Sequence, residues 1–101
     1  MRRVRLLADA IRELLHETVY YEQAHEGTGR RFRQAVEAAF VRALAFPMSG
    51  TPAPAGTRRT AVQGFPIFVV YREVGDGILV YAIAHERRRP AYWLGRTDGD
   101  V

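Results

Sequence analysis

The run FPIFVVYREVGDGILVYAIAHERRRPAYWLGR, Phe65 to Arg96, decides how the rest of the chain is read. Two apolar segments rich in β-branched and aromatic residues, Ile67–Arg72 and Ile78–His85, flank Gly75-Asp76-Gly77. Segments of that kind on either side of a glycine-aspartate turn predict a β-hairpin. Both are apolar at odd and even positions, so at least part of their sheet is covered on both faces. The second segment runs straight into His85-Glu86-Arg87-Arg88-Arg89-Pro90, with Tyr92 and Trp93 close behind. The expectation is a buried hairpin that presents a cationic end, with the remaining chain as its cover.

Working outward, Thr57–Gln63 is a modest strand bearing Arg58 and Arg59, turned into Phe65-Pro66 by Gly64. Met48–Gly56, with two prolines and two glycines, is expected to be a loop. Upstream, Phe32, Ala35, Val36, Ala39, Phe40, Ala43 and Leu44 form a helical stripe that ends before Pro47. Gly27-Thr28-Gly29 separates this helix from an earlier one over Ala8–Ala24 and, through Thr28, caps the second. In the first helix Asp9 is the expected N-cap, and Ile11, Leu14, Leu15, Thr18 and Tyr21 the apolar side. Val4–Leu7 reads as an edge strand. The element order is β-α-α-β-β-β, a helical hairpin packed on a mainly antiparallel sheet in one domain spanning 1–101, an α+β architecture.

Composition narrows the class. A chain of 101 residues, 48% of them hydrophobic, suits a folded domain that buries roughly two-thirds of its unfolded surface. No apolar run approaches the roughly 20 residues of a membrane span. Asp9, Arg12 and Glu13 interrupt the N-terminal apolar stretch too early for a signal peptide. Zero cysteines exclude disulfides and thiolate zinc sites and fit a cytoplasmic protein. Three histidines at unhelpful spacings give no metal site, and no cofactor motif is present. The net charge is +4, with all fifteen cationic residues arginine. A phosphate site here has to use bidentate guanidinium groups, and a general base has to be histidine, carboxylate or tyrosine.

Two readings of the cationic residues stand side by side. In one, Arg58, Arg59, Arg72 and His85 through Arg89 form a phosphate-binding surface with His85 as acid or base. In the other, they are solvated strand ends, and Tyr92-Trp93 is an aromatic anchor docked on the sheet or helices. Arg72 sits near the Gly75 turn, several residues from His85, and whether the two share a face depends on the turn's length.

The chain resembles the RelE/ParE superfamily of toxins from bacterial type II toxin–antitoxin modules. The resemblance rests on Ala10-Ile11-Arg12-Glu13-Leu14, Tyr20-Tyr21-Glu22, Gly29-Arg30-Arg31-Phe32, Arg58-Arg59, Gly64-Phe65-Pro66, Val70-Tyr71-Arg72, and above all Ala84 through Trp93 followed by Arg96. It implies a growth-inhibiting toxin neutralised by a cognate antitoxin that folds on binding. RelE-like members cut mRNA on the ribosome, which would make Arg58, Arg72 and His85 catalytic. ParE-like members poison DNA gyrase. Under either target Arg59, Arg87, Arg88, Arg89, Tyr92, Trp93 and Arg96 would be target-binding or phosphate-binding, Arg59 and Arg87 adding charge stabilisation in the nuclease reading. The lysines of the RelE-type site have no counterpart, and the arginine-proline-tyrosine-tryptophan tail resembles the ParE-like side, which is preferred. A member acting mainly in antitoxin complex formation is the third alternative.

Overall fold

The computed structural model describes residues 2–97. β1 (Val4–Leu6), α1 (Ala8–Ala24) and α2 (Thr28–Ala45) are followed by β2 (Thr51–Ala53), β3 (Thr57–Ala61), β4 (Ile67–Val74) and β5 (Gly77–His85). The strands form one sheet in the order β1-β5-β4-β3-β2, antiparallel except for the β1–β5 pair. Both helices lie on one face. The α+β arrangement expected from the sequence is the one observed, with an added strand: β2 lies inside the stretch read as a loop. It is three residues long and carries Pro52, tolerable only at an edge, where the missing N–H leaves no neighbouring strand unsatisfied.

The double-sided apolar pattern of the hairpin has a direct structural cause. Ile67, Val69, Tyr71, Ile78, Val80 and Ile83 face the helices and meet Phe32, Val36, Ala39 and Ala43. Val70, Leu79, Tyr81, Ala82 and Ala84 face the other way. Pairing shifts from Val70↔Ala82 to Tyr71↔Val80, so Tyr81 is the extra residue of a bulge. The bulge reverses β5's alternation, which places Tyr81 and Ala82 on the same outer face. A Cβ at Gly77 would run into the carbonyl of Arg3, where β1 begins to pair with β5. Glycine is therefore what allows the parallel edge strand to close on the hairpin.

The helices match their expected spans, with two differences. Ile11 and Leu15 are not on the covered side of α1: they are 46% and 53% exposed, and Val19 is 52% exposed. The inward arc is instead Ala10, Leu14 and Tyr21, about 100° around the helix from Ile11. Because α1 packs against both α2 and β5, the small Ala10 takes the closest approach. The capping groups also differ. Leu7 occupies the N-cap of α1, and Asp9 lies within the first turn, paired with Arg12 and, at 3.6 Å, with Arg96. At α2 the N-cap is Gly27, with φ +87°, and no threonine side chain caps it. The Glu22 carboxylate accepts from the Gly27 and Gly29 N–H groups at 3.0–3.1 Å instead. Tyr21, Phe32 and Phe65, with ring centroids 4.8–5.2 Å apart, close that end of the core. No helix among the described residues is long and apolar enough to cross a membrane.

Candidate functional site

Past Glu86, whose N–H still donates to the Pro66 carbonyl at 2.9 Å, the described chain advances by successive tight turns. Arg88 N–H bonds the His85 carbonyl, Tyr92 N–H that of Arg89, Leu94 N–H that of Ala91 and Arg96 N–H that of Trp93, all at 2.9–3.2 Å. This path folds the tail back across the outer face of the sheet. Trp93, 5% exposed, covers the apolar surface formed by Val70, Leu79, Tyr81 and Ala84. The outer face is thus closed by a short segment of turns ending in a 3-10 helix, Leu94–Thr97, rather than by an α-helix or a strand.

One carboxylate fastens that segment. Glu13 of α1 accepts from the Tyr92 hydroxyl at 2.6 Å, from Arg96 Nη1 and Nη2 at 2.9 and 3.0 Å, and from the Ile83 N–H at 3.1 Å. Arg96 Nη1 also donates to the Tyr81 carbonyl at 2.9 Å. The Glu13 and Arg96 side chains are 14% and 18% exposed, so the fork-on-carboxylate pair is largely withdrawn from water. Burial first, and then the bond to Glu13, pushes the Tyr92 phenol well above the usual tyrosine range. Arg96's own hydrogen bonds to Glu13 raise its guanidinium in turn.

Beside this clasp lies an open groove of about 460 Å³ between the β2–β3 edge and the tail. Its floor includes Phe68, Val70, Ala84 and Trp93, and its lining carries Arg59, Arg88 and Arg89 together with His85 and one carboxylate, Glu86. The Arg59 guanidinium lies 4.6 Å from the Phe68 ring centroid, and that of Arg88 lies 3.9 Å from the Tyr92 centroid. Stacking orients the planar groups and leaves their N–H edges for an anionic ligand. Among the described residues none of the three arginines has a carboxylate partner.

Of the other residues singled out from the sequence, His85 lines this groove as well, whereas Arg58 and Arg72 do not. Arg72 pairs in register with Leu79 and His85 with Ile67, so they stand five residues apart along β4. At ~3.4 Å per residue that is roughly 17 Å, too far to serve one phosphate together. Arg58 donates to the Gly50 carbonyl at 2.8 Å and Arg72 to the Ala55 carbonyl, so both brace the 50–56 connection. His85 Nδ1 accepts from the Arg87 N–H at 3.0 Å, which shapes the turn that begins the tail. Glu13 is missed by a reading that takes Ile11, Leu14, Leu15, Thr18 and Tyr21 as the covered side of α1, because it lies about 160° around the helix from Ile11. With the covered arc turned toward Ala10, Glu13 comes to its border.

Two helices on one face of a five-stranded mixed sheet, with a cationic tail beyond the last strand, define an α+β toxin fold of the RelE/ParE type. The chain belongs to the ParE toxin family of type II toxin–antitoxin systems, parDE, whose family model matches residues 4–90. That match includes Glu13 and stops short of Tyr92, Trp93 and Arg96. Among solved structures, the chromosomal ParDE TA system from P. aeruginosa is similar with a TM-score of 0.70. The two chains are 16% identical over 84% of this one and 96% of that one, a likeness of fold. No curated protein matches the sequence.

Proposed function

We propose that this chain is the growth-inhibiting toxin of a toxin–antitoxin pair, that it poisons DNA gyrase, and that the cationic groove engages the target. The observation that carries this reading is the contrast between two sets of arginines. Arg59, Arg88 and Arg89 line an open groove without carboxylate partners among the described residues, whereas Arg58 and Arg72 are occupied by backbone carbonyls. Phosphodiester cleavage needs an acid or base and a charge stabiliser within hydrogen-bond reach of one substrate. The separation of Arg72 from His85 favours binding over cleavage.

A cognate antitoxin would neutralise the protein by covering it. The exposed line of Ile11, Leu15 and Val19 recurs every four residues along α1 and suits the apolar side of a partner helix. An antitoxin rich in acidic residues would reach the groove arginines as well, blocking the target surface directly.

The test uses purified gyrase, ATP and plasmid DNA, with detergent added to reveal trapped cleavage complexes. Linear DNA should accumulate with the wild-type protein and decline with Arg59→Glu or Arg88→Glu. Undisturbed gyrase together with codon-phased cutting of a translated mRNA would overturn the proposal and move attention to Arg58, Arg72 and His85.

A further inference from the structure

The geometry points to Glu13 as a positioning residue that holds the cationic wall of the groove in its binding form, although it would touch no partner itself. This deepens the target-binding reading above and rests on it. Glu13 sits on α1, whose inward residues Ala10, Leu14 and Tyr21 belong to the helix-side core, independent of the tail. Its carboxylate fixes the Tyr92 hydroxyl at 2.6 Å, and the Tyr92 ring carries the Arg88 guanidinium 3.9 Å from its centroid. A rigid helix therefore sets the place of a groove arginine through one carboxylate and one phenol.

Nothing in the tail's own backbone does this as well. Its bonds are local, from Arg88 to Arg96, and Ala91 adopts φ +55°, a region that alanine rarely visits. Such a segment takes its orientation from what fastens its side chains. The fastening reaches across 79 residues to Tyr92 and 83 to Arg96. Arginine's fork meets both carboxylate oxygens of Glu13 at 2.9 and 3.0 Å, a geometry that lysine cannot reproduce.

Trp93 is the chain's one tryptophan, so its emission reports tail docking. Glu13→Gln should keep the far-UV circular dichroism while shifting Trp93 emission to the red and raising its acrylamide quenching. Binding of a hexaglutamate peptide, used as the probe, should weaken about tenfold, the effect of losing one charge-assisted contact. The sign is diagnostic. Glu13→Gln removes one negative charge, so a purely electrostatic role would tighten binding of this anion.

Wild-type emission, quenching and peptide affinity in Glu13→Gln would overturn the positioning role, as would tighter peptide binding. Should Glu13→Gln fail to fold, Tyr92→Phe removes the phenol link and leaves the Glu13–Arg96 pair; unchanged peptide affinity there overturns the role equally. Failure of the target reading looks different: Arg88→Glu then abolishes peptide binding while growth arrest on induction persists.

Discussion

The two faces of the sheet are closed in different ways. On one side, α2 lays Phe32, Val36, Ala39 and Ala43 against Ile67, Val69, Val80 and Ile83, and hydrophobic burial alone specifies the fit. On the other, a dozen residues of tight turns are pinned by Trp93 and by the hydrogen-bonded group of Glu13, Tyr92 and Arg96. The first cover is built of regular elements and can be lost only by unfolding the domain. The second is built of turns and joined to α1 by a polar clasp, so it is expected to open at a lower free energy than the first. The groove lies beside this second cover.

The largest effect expected from this contrast is at Phe32, which is fully buried and in ring contact with Tyr21 and Phe65. Phe32→Ala should cost about 3–5 kcal/mol, read as a fall in the urea midpoint. Trp93→Ala removes a larger side chain but should cost less, because its loss is capped at the free energy of docking the tail. Equal losses from the two variants, with the same urea dependence, would mean that both faces unfold as one unit and would dissolve the contrast.

A smaller effect is expected from pH, at Tyr92. Its folded pKa is raised by burial and by Glu13, so the folded state holds the phenol proton more tightly than the unfolded chain does. The stabilisation is complete below the ordinary tyrosine value of about 10 and is lost as pH rises through the raised folded value. Stability should therefore fall above pH ~10, with Trp93 emission shifting before far-UV circular dichroism changes. Tyr92→Phe should remove that alkaline step. If the step survives in Tyr92→Phe, it belongs to another group, Tyr71 and Tyr21 being raised as well.

What could be read from the sequence divides along the same line. The hairpin, both helices and their spans are periodic and local, and burial of a repeating pattern leaves a direct trace in the residue order. The strand at Thr51–Ala53 left none, because three residues around a proline carry no alternation. The rotation of α1 was hidden because Ile11 and Leu15 look like core and Ala10 does not. An apolar side chain states only a preference for burial, while the closest helix approach selects the small one. The tail was legible as chemistry but not as geometry. Arg88, Arg89, Tyr92 and Arg96 announce a cationic aromatic segment, yet only the fold reveals that Arg96 is matched by Glu13 while Arg88 faces the groove. Likewise, the distance between Arg72 and His85 follows from the register of β4 on β5, which sequence spacing leaves open.

The smallest effect is expected at the turn between the helices, where a side chain does work on the helix-covered face that burial does not. Glu22 accepts from two N–H groups at the start of α2, at 3.0–3.1 Å, and these bonds hold its carboxyl below the usual carboxylate range, with Arg30 and Arg31 adding to the effect. A depressed folded pKa means that the contribution is present above the ordinary glutamate value of about 4.3 and is lost as pH falls through the folded value. Glu22→Gln keeps an acceptor oxygen but gives up the charge that favours a helix N-terminus, and Glu22→Ala gives up both. The melting temperature at pH 7 should fall in the order wild type, Glu22→Gln, Glu22→Ala, with Trp93 emission unchanged throughout. On acidification the gap between wild type and Glu22→Gln should close. A gap that stays constant down to pH 3 would mean that the amide disturbs packing near Gly29, where a Cβ would meet the Thr18 carbonyl of α1 at 2.9 Å, and that charge at the cap contributes nothing.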